Sequence, residues 1–260
     1  MPTTSGTGSE CTKNAVLKCI KNNRKASIRH DMMIPSLAII DPLLTLSVPP
    51  HVTAHVGLDA LCQLIEPFTS NLPNPITDAL AKEGIMRAVR SLKVAVVDGA
   101  NVSAREDMAI ASCLSGLCLA NSKLGAVHGF ASVLGGMFET APHGAICALL
   151  MPPVFKKNIE LLSRLSSDGD QVASERLLRY TQVAAMVTGN PNASALDGAY
   201  WIEQLVRELK VPSLSLLCKE SINSSQIDEI VSGTAVASST KGNPVVLSNG
   251  ELKSIINSVV

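Results

Sequence analysis

The chain has 260 residues, of which 46% are hydrophobic, 17% are charged and 3% are aromatic. Its 22 basic and 22 acidic residues cancel, so nucleic-acid and anionic-membrane partners are not favoured, and so few aromatic residues argue against a base-stacking surface. Seven cysteines without a C-x-x-C pair favour neither a disulfide framework nor a structural zinc knuckle, and they indicate a reducing compartment.

The chain begins with a loop of small residues, TTSGTG at 3–8. Backbone N–H groups and hydroxyls of such loops contact phosphates, although the pattern alone more often marks a flexible loop. Two short strands are predicted after it, at 15–20 and at 36–41, with Pro42 ending the second.

The chain after Pro49 is predicted to be helical, because apolar residues recur there at helical spacing between prolines and glycines. Helices are expected at 50–70, at 108–122 and at 194–210, the last with a serine N-cap. Ser248 and a glutamate three residues later predict a capping box for a C-terminal helix. No apolar run approaches the length of a membrane span, and the N-terminus lacks the regions of a secretory signal.

Two histidines, His128 and His143, lie in the least charged part of the chain, and each is followed directly by glycine. Between residues 126 and 155 the only formal charge is Glu139. A neutral imidazole in an apolar wall is a common metal ligand, and the following glycine leaves room for a substrate or a backbone. The alternative is a pair of core histidines that are hydrogen-bonded to carbonyl groups.

The predicted helix at 50–70 carries Asp59 and Gln63, which are four residues apart and therefore leave the same face. An uncompensated aspartate in so apolar a helix would cost several kcal/mol in desolvation, which a cation would relieve. Asp59, His128 and His143 are therefore a candidate metal site with one oxygen and two nitrogen donors from three separate helices.

Six sequence pieces occur in order along nearly the whole chain: PTTSGTGSE at 2–10, IDP at 40–42, GLDALCQLIEP at 57–67, GAVHGFASVLGG at 125–136, APHG at 141–144 and STKGNPV at 239–245. In these pieces the chain resembles the iron-containing (group III) alcohol dehydrogenase family.

The resemblance implies an α/β remnant followed by an all-α, C-terminal helical metal-binding domain of the dehydroquinate synthase-like, iron-containing alcohol dehydrogenase fold. Residues 1–48 would be the remnant of the nucleotide-binding domain, and residues 49–260 the helical catalytic domain. The family's parallel sheet and first glycine-rich pyrophosphate turn do not occur in this sequence, so we expect a truncated form that could be inactive in isolation.

The implied activity is hydride transfer between a primary or small alcohol, or its aldehyde, and NAD or NADP, with Fe²⁺ or Zn²⁺ bound. The resemblance assigns catalytic and metal-binding roles to Asp59, His128 and His143, and a further metal-binding role to Gln63. It places cofactor contacts at Thr3, Thr4, Gly6, Thr7, Thr12, Asn14 and Lys25. We further expect a homo-oligomer, a dimer, in the cytoplasm, or in the mitochondrion if an N-terminal segment is missing.

Two positions depart from the family pattern. The usual histidine four residues after the aspartate is Gln63 here, whose amide oxygen is a weaker donor for iron or zinc than imidazole. A further family histidine, four residues after His128, is Ser132. His55, one turn before Asp59, could supply the absent ligand; the other interpretation pairs it with His51 at the start of the helix.

Two other functions stay open. A non-catalytic helical fragment or oligomerisation module could keep the fold without activity. A related polyol or sugar-phosphate dehydrogenase, or a dehydroquinate synthase, could share the architecture. The TTSGTGSE and STKGNPV pieces favour the alcohol dehydrogenases over this second group.

Overall fold

The computed structural model describes residues 1–19 and 24–260, and the side chains of residues 1–17 and 27–260. Two antiparallel strands near the N-terminus, β1 (Asn14–Cys19) and β2 (Arg24–Arg29), pair with Asn14 opposite Arg29. The helices that follow in the described part are α1 (Pro50–Thr69), α2 (Pro75–Val97), α3 (Val102–Asn121), α4 (Ala126–Met137), α5 (His143–Ser167), α6 (Gln171–Thr188), α7 (Ala195–Glu208), α8 (Leu214–Cys218), α9 (Ser224–Val236) and α10 (Asn249–Asn257).

Helix α1 lies at the centre of the helical part and contacts α2, α3, α5 and α6. Nearly all of its residues are buried, including the whole stretch 57–69. It begins with Pro50 at its first position, where the missing N–H donor has no intrahelical partner to lose. A polar side chain on a helix that is buried on all sides must find its hydrogen-bond partners or counter-charges within the protein. The contacts of Asp59 therefore indicate its role.

The helices predicted from apolar spacing are confirmed. The predicted helix at 50–70 is α1, and the serine expected to cap the helix near 194 accepts a hydrogen bond from the Asp197 backbone N–H. Ser248 and Glu251 form the predicted capping box of α10. The helix expected at 108–122 starts earlier, at Val102, because the Asn101 side chain caps it.

The strand predicted at 36–41 is wrong. This segment has no ladder partner among the described residues, and Leu37 and Ile39 are 73% and 45% exposed. A strand needs hydrogen bonds from a neighbour as well as apolar side chains, and the sequence shows only the latter. The Asp41 carboxylate instead caps a 3₁₀ helix, Pro42–Thr45. The strand predicted at 15–20 corresponds to β1.

No single helix in the described part of the chain has both the length and the apolar character of a membrane span. Helices α3 and α4 meet these criteria only when taken together, and they are bent by 97° relative to each other.

A buried carboxylate, Asp107, connects α2 to α3. It accepts hydrogen bonds from Arg87 at 2.9 Å, from Arg90 at 2.7 and 2.9 Å, and from the Ser91 hydroxyl at 2.5 Å. Burial alone would raise the pKa of Asp107, but the hydrogen bonds from Arg90 and Ser91 and the two guanidinium charges outweigh it and lower the pKa.

Replacing Asp107 with asparagine should lower the free energy of unfolding by about 1–2 kcal/mol at pH 7. Because the pKa of Asp107 is lowered by folding, its contribution is present above the unfolded-state pKa of about 3.9 and is lost as the pH falls through the lower folded-state value. The stability difference from wild type should therefore shrink below about pH 4. Urea unfolding followed by circular dichroism, at pH 7 and below about pH 4, measures this stability difference. Asp228→Asn, which removes a surface ion pair with Lys253, is the matched control and should have a much smaller effect.

Candidate metal centre

The structure brings together three of the predicted site residues from three helices. Asp59 lies in the middle of α1, His128 in the first turn of α4, and His143 is the first residue of α5. The Asp59 Oδ1 atom is 3.4 Å from His128 Nε2 and 3.8 Å from His143 Nε2. One carboxylate oxygen and two imidazole nitrogens thus point at a common space.

Two atoms at this space are buried without a hydrogen-bond partner: Asp59 Oδ1 and His128 Nε2. Buried polar atoms are nearly always paired, because leaving one unpaired costs about 1–3 kcal/mol. A cation between these atoms would satisfy both at once, so the residues fit a divalent metal. The side chains of Asp59 and His128 are each 5% exposed, whereas that of His143 is 44% exposed. The site is therefore closed on two sides and open beside His143.

A second carboxylate holds His128 in place. Glu66 Oε2 lies 2.6 Å from His128 Nδ1, and Glu66 Oε1 accepts a hydrogen bond from the Val127 backbone N–H at 2.8 Å. In the neutral imidazole with its proton on Nδ1, the form that binds a metal, the lone pair of Nε2 faces Asp59. Carboxylate–histidine pairs of this kind orient the imidazole of metal sites and raise its basicity.

The charges around the site shift its pKa values. Burial would raise the pKa of Asp59, but the adjacent His128 and the charge of His143 outweigh it and lower the pKa to about 2. Burial would lower the pKa of His128, but Cys147, Glu66 and Asp59 raise it above its usual value. The nearby Cys147 sulfur raises the pKa of His143 to about 9, against the opposing effect of partial burial. A cation must displace these imidazole protons, so its affinity should fall as the pH is lowered.

Gln63 and Asp59 leave the same face of α1, as predicted, and both contact Thr7 of the small-residue loop. The Gln63 amide nitrogen donates to the Thr7 carbonyl at 2.6 Å and to the Ser115 hydroxyl at 3.0 Å. The Thr7 hydroxyl donates to Asp59 Oδ2 at 3.2 Å. The loop and the candidate metal centre are therefore in direct contact, and the nitrogen end of Gln63 is bound to the loop.

The loop itself is docked on α3. The Gly6 carbonyl accepts hydrogen bonds from the hydroxyls of Ser112 and Ser115, both at 3.1 Å. Gly8 has φ 64°, in the left-handed region, and lies against Gly116, so that a side chain on either glycine would overlap the other segment's backbone. These contacts fix the path of the loop beside Asp59.

The remaining predicted cofactor residues differ in their environment. The side chains of Thr3, Thr4 and Thr7 are exposed on the loop. Thr12 is buried, and its hydroxyl donates to the Ser9 carbonyl, which stabilises the turn that leads into β1. Asn14 is half-buried at the start of β1, and the Lys25 side chain lies outside the described residues.

The structure adds two residues that the sequence analysis did not single out, Glu66 and Cys147. Glu66 follows Asp59 by about two helical turns, and Cys147 follows His143 by about one, so helical spacing was the available signal. His55 instead packs edge-on against His51, with ring centroids 6.2 Å apart. Ser132 is exposed.

Comparisons with known proteins place this chain in a family. The model of the Fe-containing alcohol dehydrogenase family, C-terminal, matches residues 53–260, and that of iron-containing alcohol dehydrogenase matches residues 1–42. A 1,3-propanediol dehydrogenase of Citrobacter freundii is 43% identical over 60% of this chain and 40% of its own length. The 1-propanol dehydrogenase PduQ of the same organism is 31% identical over 100% of this chain and 69% of its own length.

A solved structure agrees with these sequence matches. An iron-containing alcohol dehydrogenase from Thermococcus thioreducens superimposes with a TM-score of 0.85 at 28% identity, covering 99% of this chain and 63% of that one. The chain spans about half the length of the curated relatives it matches. The match to the family models over most of the chain, together with the shared fold, shows that the chain belongs to the iron-containing alcohol dehydrogenase family.

Proposed function

We propose that this protein acts as a metal-dependent alcohol dehydrogenase that moves a hydride between a primary or small alcohol, or its aldehyde, and NAD or NADP. The observation that carries the proposal is the pair of buried, unpartnered atoms, Asp59 Oδ1 and His128 Nε2, which face His143. The names of the relatives, 1,3-propanediol and 1-propanol dehydrogenase, support small alcohols as the substrate class.

Fe²⁺ or Zn²⁺ would be held by Asp59, His128 and His143, with the sequence pattern adding Gln63. When bound, the metal supplies Lewis-acid chemistry that lowers the pKa of an alcohol hydroxyl. The protein orients the metal ligands and admits the substrate. Glu66 keeps the proton on His128 Nδ1, and the half-exposed edge at His143 leaves an approach for a small substrate.

The cofactor contacts belong to the same proposal. Thr7 donates its hydroxyl to Asp59 Oδ2, so a cofactor held by the exposed hydroxyls of the loop would lie next to the carboxylate. Asp59 Oδ2 thereby accepts a hydrogen bond, which leaves Oδ1 for the cation. In this proposal residues 1–48 contact the cofactor, residues 49–260 form the helical metal-binding part, and the protein is a homodimer.

Activity measurement tests the proposal. The purified chain, supplied with Zn²⁺ or Fe²⁺ and millimolar NAD⁺ or NADP⁺, should form reduced nicotinamide when 1-propanol or 1,3-propanediol is added, and a chelator should stop the reaction. A chain that binds the metal but reduces no cofactor with any small primary alcohol would contradict the dehydrogenase proposal and favour the non-catalytic alternative.

Replacing Glu66 with glutamine should weaken Zn²⁺ binding by about 10- to 100-fold, the usual range for partners that orient a metal-binding histidine. The amide can no longer bring a negative charge to His128 Nδ1, so the imidazole is both less basic and less firmly oriented. Competition titration against a chelating indicator measures the affinity. Glu83→Gln, which changes an exposed carboxylate on α2, is the control. Equal affinities for wild type and Glu66→Gln would mean that Glu66 does not act through His128.

A further inference from the structure

The candidate metal centre contains a fourth donor that the family pattern does not provide. Cys147 lies one turn after His143 on α5, on the same face, and is fully buried. Its Sγ atom is 3.7 Å from His143 Nε2. One ligand atom from each of Asp59, His128, His143 and Cys147 lies within 4.8 Å of the other three.

Gln63, the residue expected to supply the fourth ligand, makes other contacts. The Gln63 amide nitrogen is held by the Thr7 carbonyl and the Ser115 hydroxyl, which ties this side chain to the loop. Even a freely turning amide would offer a neutral oxygen, which binds zinc or ferrous iron more weakly than imidazole or thiolate. The space in front of Asp59 and His128 therefore has a strong donor at Cys147 and a weak one at Gln63.

We propose that the Cys147 thiolate, and not Gln63, completes the metal site with Asp59, His128 and His143, and that this donor set selects Zn²⁺ over Fe²⁺. The inference rests on the proposed function and names the ligand set of its metal. A set of one carboxylate, one thiolate and two imidazoles suits zinc, because thiolate is a soft donor and zinc binds nitrogen and sulfur ligands more tightly than ferrous iron does.

A neighbouring cysteine supplies a control within the same site. Cys62 is also buried, and its Sγ lies 3.9 Å from His128 Nδ1, on the side of the ring that faces Glu66. A thiolate at Cys62 would compete with Glu66 for the same nitrogen, whereas Cys147 lies on the side of the unpartnered Nε2. The two cysteines can therefore be distinguished by substitution.

Cobalt(II) reports the ligands directly, because a thiolate bound to it gives a near-ultraviolet charge-transfer absorption. The wild-type chain titrated with Co²⁺ should show this absorption, Cys147→Ser should lose it, and Cys62→Ser should keep it. Zn²⁺ affinity, measured by competition with a chelating indicator, should fall by at least about 100-fold in Cys147→Ser. This loss exceeds what substitutions of residues that only contact the ligands usually cause. Gln63→Ala should change the Zn²⁺ affinity by less than about tenfold. Cys147→Ala repeats the measurement with a smaller side chain, and far-ultraviolet circular dichroism checks the fold of each variant.

The outcomes separate the two proposals. If wild type binds Co²⁺ without the charge-transfer absorption, or if Cys147→Ser and Cys147→Ala retain it, the assignment of Cys147 is wrong while the metal site stands. If wild type binds Fe²⁺ more tightly than Zn²⁺, the metal preference is wrong. If wild type binds neither cation, both the inference and the proposed function fail.

Discussion

Replacing His128 with alanine is expected to abolish divalent-metal binding and, in the metal-free chain, to lower the free energy of unfolding by about 3 kcal/mol. The imidazole supplies the unpartnered Nε2 atom at the candidate metal centre, so its removal deletes a ligand. It also leaves the Glu66 carboxylate, 3% exposed, without the group that lies 2.6 Å from it. A buried carboxylate that loses its partner is strongly destabilising.

The two effects are measured separately. Competition titration against a chelating indicator gives the affinity for Zn²⁺, and urea unfolding in the presence of a chelator gives the stability of the metal-free chain. His51→Ala, which removes an exposed histidine at the start of α1, is the matched control and should leave both unchanged.

A double substitution isolates the buried charge. His128→Ala with Glu66→Gln removes the uncompensated carboxylate, so it should be more stable than His128→Ala alone, while metal binding stays lost. If His128→Ala binds zinc as wild type does, this histidine is a core residue and the candidate metal centre is wrong. If the double variant is no more stable than the single one, the loss of stability comes from the cavity and not from the charge.

The residues that sequence reasoning could place are those whose partners lie on the same element. The caps of α7 and α10 depend on residues that are three positions apart. Asp59 and Gln63 lie on one face of α1 because they are four positions apart. Helical periodicity determines these relations without knowledge of the rest of the chain. The strand expected at 36–41 failed for the opposite reason, since its ladder requires a partner that local sequence does not specify.

The sequence indicated Asp59, His128 and His143 as candidate residues, but it indicated neither their contacts nor the nearby Glu66 and Cys147. Its two histidines were indicated by their uncharged surroundings, and Asp59 by the cost of burying a carboxylate. Nothing local showed that Gln63 would turn to Thr7, 56 positions away, or that Cys147 would reach the same space as His128. Such contacts depend on how α1, α4 and α5 pack against one another, which single-element patterns leave undetermined.

Replacing Gly144 with alanine is expected to lower the free energy of unfolding by about 3 kcal/mol and to weaken metal binding in the same variant. Gly144 follows His143 at the start of α5 and lies against α1. A Cβ atom at this position would overlap the carbonyl oxygen of His55 and lie 3.2 Å from the Cβ of Asp59. The carbonyl belongs to the backbone of a buried helix, so it cannot turn away as a side chain could, and α5 has to move away from α1.

This movement would carry the ligands with it. His143 and Cys147 both lie on α5, whereas Asp59 lies on α1, so separating the helices lengthens the distances between them. Urea unfolding measures the first effect and competition titration with Zn²⁺ the second. Gly250→Ala, at the start of α10, is the matched control: its added Cβ meets only the Ser248 hydroxyl oxygen at 3.9 Å, and alanine is the better helix former. Wild-type stability in Gly144→Ala would mean that α1 and α5 tolerate separation. Lost stability with unchanged zinc affinity would mean that the ligands do not depend on the contact between these two helices.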